Sequence, residues 1–178
     1  VNNAIIDMGS GYGNIGIYSE GGSTSAINNS TIKVGSSNVS TSEYSIGMAA
    51  SSGSSINNIG DIYVTGSNSI GMYGDGIGSS VYNNGNIYLD ATGATSLNLK
   101  NQMIGIYLDN GAHGENWGDV KTLSNYAGNT NVNTLVGISV QRGSTFENHG
   151  NIEINSDNGV GVYVNNGIIK NYGTITVI

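Results

Sequence analysis

The sequence predicts an all-β chain wound as a right-handed parallel β-helix, a single-stranded solenoid of about six coils with three short strands per coil. Three observations lead there. An apolar-Gly-apolar triplet recurs six times, an Asn corner follows each triplet at a nearly constant distance, and a short β-branched run resumes just past each corner. A repeat of roughly 20 to 50 residues marks a solenoid, a propeller or an array.

The triplets open each copy. They are Ile15-Gly16-Ile17, Ile46-Gly47-Met48, Ile70-Gly71-Met72, Ile104-Gly105-Ile106, Val136-Gly137-Ile138 and Val160-Gly161-Val162, with glycines 31, 24, 34, 32 and 24 residues apart. The corners are Asn28-Asn29-Ser30, Asn58-Ile59-Gly60, Asn83-Asn84-Gly85, Asn116-Trp117-Gly118, Asn148-His149-Gly150 and Asn171-Tyr172-Gly173. The third runs are Ile32-Lys33-Val34, Ile62-Tyr63-Val64, Ile87-Tyr88-Leu89, Val120-Lys121-Thr122, Ile152-Glu153-Ile154 and Ile175-Thr176-Val177. A truncated copy, Asn2-Asn3-Ala4-Ile5-Ile6, precedes them all.

Alternating apolar and polar residues are a strand signal, and Asn and Gly at a corner point to left-handed backbone there. Propeller blades need longer strands joined by two-residue hairpins, helical repeats need apolar spacing of three and four, and left-handed hexapeptide coils repeat every six residues. None of these patterns is present. One coil buries too few apolar side chains to offset the entropy of ordering it, so the copies must stabilise one another by stacking.

Stacking assigns roles within a coil. In the last and most regular copy, Val160, Val162, Val164, Ile169, Ile175 and Val177 are expected to point inward, with the triplet glycine facing out. Asn28, Asn58, Asn83, Asn116, Asn148 and Asn171 fall at one coil position, where each amide can donate to the next and form a ladder. Such a ladder is structural.

Composition narrows the function. The 178 residues include 29 Gly and no Pro or Cys, only 10% are charged, and the net charge is -7 with five Lys plus Arg. No basic stripe exists to neutralise phosphates, so nucleic acid and anionic membrane are excluded as partners. No apolar stretch approaches the roughly 20 residues of a span, so this segment is not expected to insert into a membrane. The chain opens inside a repeat and is expected to be one β-helical segment over residues 1–178, cut from something longer.

The recurrent I-G-[IM]-Y and N-x-G-x-I-x-V patterns, in Gly, Asn and Ser surroundings without Cys, resemble the passenger domains of type V autotransporter adhesins, particularly the long ones of fusobacteria. The resemblance implies a β-helical stalk on the bacterial surface, anchored to the outer membrane through a C-terminal translocator barrel not in this chain. It also implies attachment to a protein or glycan receptor on host cells or other bacteria. End-to-end self-association through the open coil ends is a further expected contact.

Candidate contact residues are the outward tyrosines. Tyr73 and Tyr107 follow adjacent triplets, and Tyr63 and Tyr88 match on the third strand. Stacked rings can face sugars, or they can simply pack across strands. Long connections at Gly35 to Ser45, Asp90 to Met103 and Leu123 to Leu135 form a second candidate surface, with Tyr126 as an anchor and the last two expected to touch.

No catalytic residue, cofactor or metal is expected. Asp75 and Asp109 share a coil position, with Glu20 further along, but no Lys or Arg aligns beside them to build a catalytic pair. His113 and His149 occupy unmatched positions, and Gly11-Tyr12-Gly13-Asn14-Ile15-Gly16 matches a dinucleotide fingerprint without the βαβ unit it requires. The two alternatives to an adhesin are a polysaccharide-active β-helix enzyme and a purely structural spacer.

Overall fold

A computed structural model describes residues 1–9, 11–35, 44–94 and 100–178. After a short β1 (Ile6–Asp7), the strands come in sets of three. Triplet strands are β2 (Ile15–Glu20), β5 (Ser45–Ser51), β8 (Ser69–Asp75), β11 (Lys100–Asp109), β14 (Val132–Gln141) and β17 (Gly159–Asn165). Those leading into the Asn corner are β3 (Ser25–Asn28), β6 (Ser55–Asn58), β9 (Ser80–Asn83), β12 (His113–Asn116), β15 (Thr145–Asn148) and β18 (Ile168–Asn171). Those leaving it are β4 (Ile32–Val34), β7 (Asp61–Val64), β10 (Asn86–Leu89), β13 (Asp119–Thr122), β16 (Asn151–Ile154) and β19 (Thr174–Val177).

Each kind of strand forms its own sheet, ordered β17-β14-β11-β8-β5-β2, β18-β15-β12-β9-β6-β3 and β1-β4-β7-β10-β13-β16-β19. Strands that neighbour in a sheet are one coil apart in sequence and pair in parallel. The fold is therefore a parallel β-helix of six coils above one partial rung. The letters aligned in the sequence are aligned in space: Ile70 pairs with Ile104, Val81 with Gly114, and Ile62 with Ile87.

Inside the coil lies one continuous core of Ile, Val, Leu and Met, closed by the single phenylalanine. Phe146 is buried directly above Gly114, whose missing side chain leaves room for the ring; a Cβ on Gly114 would lie 2.8 Å from the ring carbon Cδ2.

The Asn column is a continuous ladder. Side-chain Nδ2 donates to the next Oδ1 from Asn2 to Asn28 (2.8 Å), Asn28 to Asn58 (2.9 Å), Asn58 to Asn83 (2.9 Å), Asn83 to Asn116 (2.7 Å), Asn116 to Asn148 (2.8 Å) and Asn148 to Asn171 (2.8 Å). The other amide hydrogen closes the corner by donating to the carbonyl two residues on, as at Gly85 and Gly118. Asn28 through Asn148 are fully buried, where an unsatisfied amide would be costly. Both functions suit Asn better than any isostere.

Three expectations are corrected by the backbone. Neither the corner Asn nor the corner Gly is left-handed; positive φ falls instead in the turns between the first and second strands, as at Gly53, Gly76, Asn110 and Gly143. Glycine is needed at the corner because coils approach there closely: a Cβ on Gly85, Gly118, Gly150 or Gly173 would overlap the carbonyl oxygen of the corner glycine one coil below. That closeness lets the amides of Gly118 and Trp117 both donate to Asn83 O. In the first full coil Ser30 occupies this position, and its amide turns to Asn28 Oδ1 instead.

The second correction concerns the triplet glycine, which faces the core rather than solvent. A Cβ on Gly71 would lie 2.6 Å from Gly105 O and 3.0 Å from the Ile87 methyl. Alternation slips by one residue there, so Met103 and Ile106 are both core while Ile104 looks outward. Third, Val160 follows the same slip and lines the outer surface, not the core. In that last coil Val162 and Ile169 pack on the core, whereas Val164, Ile175 and Val177 stay 38% to 48% exposed.

Two substitutions read these columns directly. Gly118→Ala is expected to cost about 3 kcal/mol or more in urea unfolding, because the clash is with backbone, whereas Gly22→Ala, which meets open space, should stay within about 0.5 kcal/mol. Asn83→Ala should cost about 2 to 4 kcal/mol by orphaning the Asn58 donor and the Asn116 acceptor together, and Asn171→Ala at the exposed end about 1 kcal/mol or less. Equal losses for Asn83→Ala and Asn171→Ala would sink the ladder as a stabilising element.

Candidate functional site

The slip at the triplet glycine gives the protein its most concave outer surface. Ile70, Ile104, Val136 and Val160, one from each of four successive coils, form the floor of a groove of about 490 Å³ on the triplet sheet. Tyr44, Tyr107 and Tyr163 line it as well, with Gln102, Thr134, Ser139 and Gln141 supplying polar groups. All eleven lining residues are uncharged. Two of them carry unusual backbone: Gln102 has φ 50° and Thr134 φ 47°, at equivalent points of β11 and β14.

Beside the groove the predicted Tyr73 and Tyr107 rings stack, with centroids 5.4 Å apart and planes 19° from parallel. Tyr107 donates to Asp109 Oδ2 at 3.2 Å. Asp109 is 1% exposed, and Arg142 from the next coil grips both of its carboxylate oxygens. A cation does therefore attend Asp75 and Asp109, contrary to the sequence expectation; it arrives from a turn whose register the strands do not reveal. Asp75 accepts instead from Asn110 Nδ2 at 2.7 Å. The two carboxylates are thus held by an ion pair and an amide, an arrangement that stabilises a turn rather than poising an acid and a base. Burial, reinforced by Asp109, pushes the Tyr107 hydroxyl up to about 12, and burial with Asp75 and Asp109 also raises Tyr73.

On the sheet leaving the corner, Tyr63 and Tyr88 stack at 4.9 Å, and the Lys121 ammonium sits 5.7 Å from the Tyr88 centroid. This column is half-buried and packed. Lys33, Tyr63, Thr65 and Asp90 outline a shallower hollow of about 330 Å³ near its foot.

With these surfaces located, comparison decides the lineage. The family model of the BigA third pectate lyase-like domain matches residues 1–119, which run from the first partial rung through the fourth Asn corner. The chain belongs to the BigA third pectate lyase-like domain family. No curated protein and no solved structure matches it. Membership agrees with the β-helix and makes this a β-helical domain of a bacterial surface protein.

In this BigA-type domain the remaining sequence candidates are placed as follows. Tyr126 is not an exposed anchor: it is 6% exposed, part of the core, and its hydroxyl accepts from the Ala91 amide at 3.0 Å. It pins the long connections at Asp90 to Met103 and Leu123 to Leu135 to one another, as their consecutive coils require. Residues 36–43 and 95–99 of the long connections lie outside the described residues. Among the described residues no three His, Cys, Asp or Glu come together as a metal cluster. His113 and His149 are apart, His113 bonding Thr145 and Glu115, and His149 lying near Glu147.

Sequence reasoning missed one surface. Trp117, His149 and Tyr172, the middle letters of the last three corners, stack in a column at 3.9 and 4.9 Å. Their spacing in the N-x-G motif was the available signal. Trp117 Nε1 also donates to Glu115 at 2.9 Å, a bond that holds this carboxyl below its usual range.

The Tyr107 shift carries a sign. A tyrosine whose pKa is raised by folding binds its proton more tightly in the native state, so its contribution is intact below about pH 10 and lost as pH climbs from 10 towards 12. Unfolding midpoints are expected to fall over that window, and Tyr107→Phe should flatten the fall and remove one late-titrating tyrosine from the ultraviolet absorbance curve. Arg142→Gln should lower the melting temperature at pH 7 by leaving buried Asp109 unpaired, with partial recovery when Asp109→Asn is added. No recovery in that double variant would refute the pairing argument.

Proposed function

We propose that this chain is an adhesin segment of a type V autotransporter passenger, a rigid β-helical shaft that holds contact surfaces away from the cell and is anchored to the outer membrane through a separate translocator. The observation that carries this reading is the combination of BigA family membership with an outward-facing, uncharged, tyrosine-lined groove repeated over successive coils. A chain serving only to maintain the shaft would gain nothing from turning Ile104, Val136 and Val160 away from the core at each triplet. The receptor is a surface component of host cells or other bacteria, reached without nucleic acid or membrane insertion.

The same reading makes the protein a binder and not a catalyst. Asp75 and Asp109, the best-aligned carboxylates, are occupied by Asn110 and Arg142. Beads coated with the purified protein should adhere saturably to epithelial cells or to bacterial lawns, and free protein should compete. Retention no greater than on albumin-coated beads across both surfaces would reduce the segment to a spacer. Incubation with polyuronate and neutral glycans should release no reducing or unsaturated ends; turnover that disappears in Asp75→Asn would overturn the binder reading in favour of an enzyme.

A further inference from the structure

The groove on the triplet sheet has a second property that its floor alone does not explain. Gln102 and Thr134 stand in left-handed backbone within strands, not in turns. For a β-branched residue such as Thr134 that conformation is a genuine outlier, and it is repeated in the adjacent coil at the same register. Strain of this kind persists where surrounding structure over-determines it and gathers at sites that bind. Both residues line the groove.

Charge selects the occupant. Every lining side chain is neutral in a chain of net charge -7, and the nearest ions, Asp109 and Arg142, are closed on each other. An ionic group entering would lose its hydration and meet no counter-charge. The floor of Ile70, Ile104, Val136 and Val160 is apolar, with Ile70 3% and Val136 8% exposed, so it already forms a close-packed surface for aliphatic side chains. Tyrosine, present here on three coils, is the residue most enriched where protein surfaces anchor partners. Amides and hydroxyls of Gln102, Thr134 and Gln141 lie where the backbone of a segment on that floor would need donors and acceptors.

We infer that this groove docks an extended, uncharged peptide segment of a partner protein, its aliphatic side chains resting on Ile104 and Val136 and its backbone bonded along the Gln102 and Thr134 side. The inference rests on the adhesin reading and names the receptor class: protein, not glycan.

The test titrates the intact isotope-labelled protein with an end-capped seven-residue peptide alternating Thr with Leu and Val, with the same peptide bearing Lys or Glu at the Leu positions, and with a neutral glucan hexamer. The neutral peptide should give saturable amide shifts at Gln102 to Tyr107 and Thr134 to Gln141, and the charged peptides should bind about tenfold more weakly or not at all. Ile104→Asn should abolish the shifts. Thr134→Gly, which relieves the left-handed strain and so keeps the fold even where Ile104→Asn does not, should weaken binding about tenfold or more. Shifts with the glucan and none with peptide would overturn the occupant, and shifts with neither would overturn the site. In the bead assay, Thr134→Gly beads that adhere as well as wild type would overturn the groove while leaving adhesion standing; wild-type beads that fail to adhere would overturn adhesion while the peptide titration still judges the groove.

Discussion

Everything in this fold depends on how closely one coil lies over the next. At the Asn corner the backbones approach so nearly that the amides of two consecutive residues share one carbonyl of the coil below, as Trp117 and Gly118 share Asn83 O. That approach excludes a Cβ at the second residue and brings the Asn amides within bonding distance, so the glycine column and the amide ladder follow from one constraint. A second glycine column, at the triplets, does the same on another sheet: Gly47, Gly71, Gly105 and Gly137 each leave room for the glycine carbonyl of the next coil. No coil supplies these partners to itself. Cooperativity along the axis is therefore built into the backbone, as expected for a solenoid whose repeats contact only their neighbours.

The triplet column also determines the outer surface. Because its glycine faces inward, the strand must carry two successive inward positions, and the apolar residue before the glycine is displaced outward. Repetition then turns a local slip into a continuous stripe of Ile and Val on the outside of the helix. A surface that would be a liability on an isolated strand is here shared among coils and bordered by tyrosines, and its shape is inherited from the packing of the core behind it.

The repeat, the strand boundaries and the pairing register were legible because they are written as periodic letters: Ile62, Ile87 and Val120 align in sequence and pair in space. The Asn ladder was legible for the same reason. What escaped was side-chain direction at the triplet, since a simple alternation assigns Gly161 outward and Val160 inward, and only the contact between stacked glycine carbonyls reverses it. The reason for the corner glycine escaped too: left-handed backbone and close approach both call for Gly, and sequence cannot separate them. Arg142 and Tyr126 act across coils from irregular segments, where no period fixes the register. Their partners, Asp109 and Ala91, become visible only when the connections are placed.

In-register stacking also accounts for the sparse charge. Parallel coils set equivalent residues one strand spacing apart, about 4.8 Å, where like charges directly opposed are destabilising. The columns show the compromise. Lys33 pairs with Asp7, and Lys121 lies between Tyr88 and Glu153, so charges alternate or are spaced by rings. Where two acids do meet, extra partners are recruited: Glu115 beside Glu147 is attended by Trp117 and His113, and Glu147 in turn by Lys170. Asp75 beside Asp109 draws in Asn110 and Arg142. Each such pair commits side chains from a neighbouring strand or turn, so a long shaft can hold few of them. Asn, Ser, Thr and Gly, which stack on themselves without repulsion, fill the remaining positions; the composition of the chain is thus a consequence of its winding, and the neutral groove is the form that any large outer surface of such a winding tends to take.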